Sequence, residues 1–177
     1  MHRGALAVLP LVLLAAACTH TPYAPGGGVA SPRLVHLRRD GIAFDYPAAW
    51  RYRRRGFITT MTEGLVDLST EPMVNPCRRH GNATTCSWPV RHLLRGGIVV
   101  MWELYGGMPA LHAPPAGVRV DRIRDSFCRA IGGAETLRGR VVTAGHHIYY
   151  AYGCMARAGR AANAAAFRAM VRSARPG

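Results

Sequence analysis

Five cysteines are the residues of this chain whose type and spacing predict chemistry most directly. Cys18 follows an apolar run, whereas the other four cysteines all lie beyond residue 70. A thiol at the end of a leader-like segment is placed for lipid attachment, whereas thiols inside an exported domain form disulfides or bind metal. Two separate kinds of cysteine chemistry are therefore expected.

The first 17 residues have the layout of a secretory signal peptide. One charge, Arg3, precedes an apolar stretch from Ala5 to Ala17. As a helix this stretch spans about 20 Å, short of the ~30 Å hydrocarbon core, so a permanent membrane span is not expected. The sequence LAAAC at 14–18 resembles the bacterial lipobox, in which the cysteine receives diacylglycerol and becomes the mature N-terminus. We therefore predict a signal peptide at 1–17 and a lipidated Cys18 that anchors an extracytoplasmic protein to the outer face of the cell membrane.

The four remaining cysteines are an even number, which in an oxidising compartment favours two disulfides over free thiols. Three pairings exist. We predict that Cys77 pairs with Cys86, which closes a short polar loop, and that Cys128 pairs with Cys154, which joins two late strands. Chain-entropy arguments give these loops about 2.7 and about 3.5 kcal/mol of stabilisation.

The same cysteines allow one alternative, a zinc site built from Cys77, His80 and Cys86. This site needs a fourth ligand from elsewhere, such as His92, and the spacing is not that of a common zinc motif. We therefore favour the disulfides and predict no metal and no other cofactor.

The other candidate groups do not form a catalytic set. His146 and His147 are adjacent, so in an extended segment their side chains point to opposite faces. Asp121 and Asp125 have arginine neighbours, which favours ion pairing over acid–base chemistry. Ser126 lacks the G-x-S-x-G elbow that exposes a nucleophile. No catalytic residue is therefore predicted.

An arginine-rich segment beside Trp50 is the strongest candidate for a binding surface; it contains Arg51, Arg53, Arg54 and Arg55. Arginines interleaved with aromatic residues can bind anions. For an exported protein the available partners are anionic lipid heads, cell-wall polymers or another envelope protein, and nucleic acid is not expected. All 23 basic residues are arginine, however, and GC-rich codons accumulate arginine without selection on charge. The alternative is a solvated edge that only blunts strand pairing.

The elements that must position these residues follow from periodicity. Residues 18–33 contain three prolines and three glycines, which predicts a tether after the lipidated cysteine. Short segments rich in β-branched and aromatic residues then predict strands at 34–37, 42–46, 57–62, 65–69, 98–104, 127–131, 137–143 and 148–154. Glu63-Gly64 is expected to form a hairpin turn. In the last strand, Ile148, Tyr150, Tyr152 and Cys154 should share one face.

Two helices are also expected. Between Arg160 and Ala174 apolar residues recur at spacings of three and four, which predicts an amphipathic helix, and a shorter helix is expected at Pro89–Leu94. Strands in series with clustered helices predict a single domain at 34–177 of the α+β class, in which helices cover an antiparallel sheet and the C-terminal helix packs on it.

Several stretches resemble actinobacterial lipoproteins of the PsbP-like fold: GIAFDYPAAW at 41–50, GGIVVMWELYGGMP at 96–109, the regions around Cys128 and Cys154, and FRAMVRSARPG at 167–177. The resemblance covers most of residues 36–177. It implies an α-β-α sandwich around an antiparallel sheet and a family used mostly for binding or assembly, with no shared catalytic residues.

The sequence therefore favours a lipid-anchored cell-envelope protein that acts as a binding or assembly module, and its ligand stays open. An enzyme is not the favoured function. The alternative function is an envelope hydrolase or a metal-dependent enzyme.

The lipid anchor is directly testable. Full-length protein is expected to enter the detergent phase in a phase-separation assay, and Cys18→Ala should abolish this partitioning because no other segment is long and apolar enough to hold a membrane. Immunoblots of the two phases measure the effect. A variant that stays in the detergent phase would contradict lipidation.

Overall fold

The computed structural model describes residues 32–56, 61–81, 83–106 and 114–177. Lipidated Cys18 and most of the tether lie outside this part of the chain, so they remain predictions. Within it, neither helix has the length or apolar character needed to span a bilayer.

The described residues form eleven strands and two helices. The strands are β1 (Leu34–Arg39), β2 (Ile42–Pro47), β3 (Arg51–Arg54), β4 (Thr62–Ser69), β5 (Cys77–His80), β6 (Ala83–Cys86), β7 (Ile98–Tyr105), β8 (Gly117–Ile123), β9 (Glu135–Val142), β10 (Ile148–Met155) and β11 (Arg175–Pro176). The helices are α1 (Ser126–Ala130) and α2 (Arg160–Arg172). The strands make a six-stranded sheet in the order β3-β4-β7-β10-β9-β8, a three-stranded sheet β1-β2-β11 and a β5-β6 hairpin, all antiparallel.

The three-stranded sheet packs on one face of the six-stranded sheet. Its β1-β2 turn has positive φ at both Asp40 (44°) and Gly41 (81°), as tight hairpin turns require. The Tyr149 hydroxyl donates to the Asp40 carbonyl at 2.9 Å, which ties this turn to β10. Phe44 stacks on Trp102 with ring centroids 4.5 Å apart, and both rings are buried. The two sheets therefore share one apolar core.

Helix α2 packs on this same face because two glycines make room for it. A Cβ on Gly153 would lie 2.6 Å from Phe167 Cδ2, and a Cβ on Gly139 would lie 2.8 Å from Val171 Cγ1. Phe167 and Val171 are fully buried. A larger residue at either strand position would push the helix away, so the approach of α2 depends on glycine there.

A second apolar cluster covers one end of the opposite face. Trp88, Val90 and Leu93, from the segment between β6 and β7, pack there with Val99 and with the Cys128–Cys154 disulfide. Leu93 N–H donates to the Ile131 carbonyl at 2.7 Å, which fixes this segment to the end of α1. A loop segment and a cross-link therefore take the place of a helix on this side.

Both predicted disulfides are present. Cys128–Cys154 lies in the interior, and Cys77–Cys86 joins directly opposite residues of the β5-β6 hairpin. Disulfides are typical of proteins exposed to an oxidising, extracytoplasmic compartment. Because Cys77 and Cys86 are bonded to each other, they are not available as thiolate ligands of the alternative zinc site.

The predicted α+β fold, an antiparallel sheet covered by helices in a PsbP-like α-β-α sandwich, is wrong. The described residues are mostly strand, in three antiparallel sheets with two short helices. Helix α2 shares its face with the small sheet, and the described part of the opposite face carries a loop segment, a disulfide and the five-residue α1. The physical reason is that one helix of 13 residues cannot cover a six-stranded sheet.

Three predicted elements also differ. The expected strand 127–131 is mostly helix α1, because Asp125 caps it by accepting the Phe127 N–H at 2.8 Å. The helix expected at Pro89–Leu94 is absent, since the segment bonds across the chain rather than within itself. Glu63-Gly64 lies inside β4 and is not a turn, and most of the predicted strand 57–62 falls outside the described residues.

Gly153→Ala tests the close approach of α2. The new methyl group would overlap the Phe167 ring, so the free energy of unfolding is expected to fall by about 1–3 kcal/mol. Gly56→Ala is the matched control, because a Cβ there meets no atom within 4 Å. Urea unfolding of both variants measures the difference, and equal stabilities would contradict the role of Gly153.

Candidate functional site

A cavity of about 490 Å³ opens on the face of the six-stranded sheet that α2 does not cover. Its sheet side carries Met101 and Glu103 of β7 and Tyr152 of β10, and its wall includes Trp88 and Phe127. The volume lies within the range of small-molecule sites in proteins. We call this cavity the cleft.

Strand alternation puts the cleft residues on one face. Met101 pairs with both Asp67 of β4 and Tyr152 of β10, so the three side chains point the same way. Tyr150 follows on this face, with its ring centroid 6.1 Å from that of Tyr152. The register confirms the prediction that Ile148, Tyr150, Tyr152 and Cys154 share a face.

One carboxylate positions the wall of the cleft. Asp125 Oδ2 accepts the Trp88 indole N–H at 3.1 Å, while its Oδ1 accepts the Phe127 backbone N–H at 2.8 Å. Trp88 is buried, whereas the Phe127 side chain is 67% exposed at the mouth. One carboxylate therefore holds the Trp88 ring and the backbone from which the Phe127 side chain projects.

A network of four charged side chains lies at one end of the cleft. Arg55 Nη1 donates to Glu103 Oε1 at 3.2 Å and lies 3.6 Å from Asp67 Oδ1. Arg53 donates to Asp67 Oδ2 from Nη2 at 2.6 Å and from Nε at 3.2 Å, and it also bonds the Val74 carbonyl. Two arginines and two carboxylates make the network neutral, as buried charges require.

Gly64 explains how Arg55 reaches this position. A Cβ on Gly64 would lie 2.6 Å from Arg55 Cδ, so the arginine stem crosses β4 where there is no side chain. The register of β4 also shifts between Gly64 and Val66. Gly64, which was predicted to form a turn, instead leaves the space that the Arg55 side chain occupies.

Burial changes the acid–base properties of this end of the cleft. Burial raises the pKa of Glu103; Arg55 lowers it and the Asp67 charge raises it further. Burial also raises the pKa of Asp67, which Arg55 and Arg53 partly offset. Burial and the Glu103 charge raise the pKa of Tyr152. The carboxyl groups therefore hold protons more tightly here than in water.

The structure divides the predicted anionic-partner patch. Trp50 is buried in the core. Arg55 is buried and Arg53 half-buried, and both are ion-paired with carboxylates of the network. Arg51 and Arg54 are exposed. They are three residues apart in β3, so their side chains point to opposite faces of the strand. The five residues therefore do not form one continuous surface.

The other residues considered as candidates from the sequence lie away from the sheet side of the cleft. His146 and His147 are exposed in the turn between β9 and β10. The predicted ion pairing holds for Asp121, which is paired with Arg119 at 2.8 Å, but not for Asp125, which among the described residues caps α1 and bonds Trp88 instead.

Sequence reasoning missed Asp67, Glu103 and Trp88 as site residues. A signal was present for the two acids, because Glu103 is the single carboxylate of an otherwise largely apolar strand and Asp67 lies between Val66 and Leu68. Such a residue is buried only when it is paired. No local signal pointed to Trp88, because its position depends on a loop that crosses the sheet.

No family model, curated protein or solved structure matches this chain. Its function must therefore be inferred from the geometry of the site itself.

The raised pKa of Glu103 predicts a pH-dependent stability difference between the natural protein and Glu103→Gln. An acid with a raised folded-state pKa stabilises the fold fully below its unfolded pKa, and this contribution is lost as pH rises through the folded pKa. The natural protein should therefore lose stability relative to the variant as pH rises. Urea unfolding across the acidic to neutral range measures this, and a pH-independent difference would contradict the assignment.

Proposed function

We propose that this protein is a lipid-anchored binding module of the cell envelope and that the cleft is its ligand-binding site. The observation that carries the proposal is the presence in one cavity of two aromatic residues, Trp88 and Phe127, and an ion pair between buried Arg55 and half-buried Glu103. Apolar cavities with a few fixed polar groups are the usual form of small-ligand sites.

The compartment is supported by independent features. The N-terminal sequence has the pattern of a signal peptide followed by a lipidated Cys18, and two disulfides are present in the folded part. A lipid anchor would hold the cleft near the outer face of the cell membrane, where small envelope molecules reach it without crossing a bilayer.

The lining indicates how a ligand would sit. The apolar part of the ligand would contact Trp88, Met101 and Phe127, which offer a ring face, a flexible thioether and an exposed ring. Its polar part would face Glu103, whose side chain is 18% exposed while Arg55 holds one of its oxygens. The other oxygen has no hydrogen bond with the described residues, so it can accept one from the ligand.

Binding is favoured over the alternative, an envelope hydrolase or metal-dependent enzyme, by what the cleft contains. Its described lining has no histidine and no free thiol, and Glu103 is held by Arg55. The Ser87 hydroxyl donates to the Pro76 carbonyl at 3.5 Å. The Ser87 hydroxyl is therefore not paired with a base, as covalent catalysis by this group would require.

Saturation-transfer NMR tests the proposed site with water-soluble aromatic fragments such as indole and benzyl alcohol. Full-length protein in phosphatidylcholine nanodiscs should bind them at one competitive site, and Phe127→Ser should weaken binding about tenfold by removing an aromatic contact at the mouth. Leu94→Ser is the matched control, since Leu94 is 60% exposed but does not line the cleft. Equal losses in both variants, or no binding beyond that of empty nanodiscs, would refute the cleft as the site.

A further inference from the structure

A second, smaller cavity adjoins the cleft and is lined by four arginines. It has a volume of about 190 Å³, and its charged lining residues are Arg122, Arg124, Arg129 and Arg160 with Asp125 and Glu135. We call this cavity the arginine pocket. Four positive and two negative side chains give the lining a formal charge of 4 − 2 = +2.

The two carboxylates of the arginine pocket are already engaged. Asp125 accepts hydrogen bonds from Trp88 and from the backbone of Phe127. Glu135 is 8% exposed and is contacted by two arginines. Both oxygens of each acid therefore already face a donor, while the two negative charges still count in the net charge of the lining.

Glu135 orients two of the four guanidinium groups. Its Oε1 accepts from Arg122 Nε at 2.7 Å, and its Oε2 lies 3.3 Å from Arg160 Nε. Both contacts use Nε, so the terminal amino groups of Arg122 and Arg160 remain available to an acceptor. A buried carboxylate that fixes two guanidiniums in this way pre-organises them for an anion.

The other two arginines supply the unpaired charge. Arg124 and Arg129 are exposed, and neither side chain has an ion pair or hydrogen bond with the described residues. Arginine forks match the oxygen geometry of phosphate and carboxylate groups. A phosphate monoester carries about −1.5 to −2 charges at neutral pH, which complements the +2 lining better than a single carboxylate does.

The arginine pocket and the cleft are parts of one continuous surface. They share three lining residues, Ile123, Arg124 and Asp125, at the junction of β8 and α1. One cavity is small and cationic, whereas the other is larger and mostly apolar at its wall. We infer that the arginine pocket binds the phosphate monoester group of an amphipathic ligand whose apolar part lies in the cleft. This inference rests on the proposed function.

Titration calorimetry of full-length protein in phosphatidylcholine nanodiscs tests the anion site with inorganic phosphate. Arg124→Ser/Arg129→Ser should weaken phosphate binding about tenfold or more, because both unpaired charges are lost. These residues are exposed, so urea unfolding should show unchanged stability. Arg122 and Arg160 are left intact because their removal would unpair buried Glu135.

The matched control is Arg168→Ser/Arg172→Ser, which removes the same charge from α2 outside both cavities. This control should retain phosphate binding within about twofold, since exposed charges at a distance are screened by salt. Equal losses in both double variants would show diffuse attraction to a basic protein and would overturn the inference. Unchanged binding in the Arg124/Arg129 variant would overturn it as well.

Hexyl phosphate tests whether one ligand uses both cavities. It should bind about tenfold tighter than inorganic phosphate, hexanoate or hexanol, and Phe127→Ser should remove this gain without affecting inorganic phosphate. Hexyl phosphate that binds no tighter than inorganic phosphate, or hexanoate that binds equally well, would overturn the inference. If the natural protein binds aromatic fragments but not inorganic phosphate, the arginine pocket alone is refuted, whereas absence of fragment binding by the natural protein refutes the proposed function.

Discussion

The close contact of α2 with the six-stranded sheet is the constraint on which the rest of the structure depends. Phe167 lies over Gly153 and Val171 over Gly139, so the one long helix among the described residues is committed to a single face. The three-stranded sheet completes the cover of that face through Phe44. Among the described residues the opposite face is covered by loops and by α1, and the cleft is the place where this cover is incomplete.

The incomplete cover has an electrostatic consequence. Arg55, Glu103 and Asp67 lie where a second helix layer would have required apolar residues, and they are buried without one. Buried ion pairs contribute little net stability, because desolvation offsets most of their attraction, but removing one partner is costly. The network is thus better explained by a role at the cleft than by a role in stability. The excess positive charge lies in the adjoining arginine pocket, around Glu135. The lining of the cleft is therefore neutral, whereas the lining of the arginine pocket is cationic.

The two disulfides stabilise the walls of these cavities. Cys86 lines the cleft and is bonded to Cys77 of β5, and Cys128 of α1 lines the arginine pocket and is bonded to Cys154 of β10. Loops that lack a helix behind them have few apolar contacts to hold them in one conformation. Cross-links that each contribute about 2–4 kcal/mol compensate for this, which is consistent with a domain that works in an oxidising compartment.

The sequence by itself determined the features that depend on local pattern. Alternation in residues 148–154 determined which tyrosines share a face, the spacing of three and four in 160–174 determined α2, and the even number of cysteines indicated two disulfides. Tertiary structure decided the features that depend on distant partners. It divided Trp50 to Arg55 between core, network and solvent, because strand side chains alternate and because Gly64 on the neighbouring strand β4 leaves space for Arg55. It also brought Glu135, Arg122 and Arg160 together, since only the pairing of β8 with β9 and the position of α2 place these residues side by side.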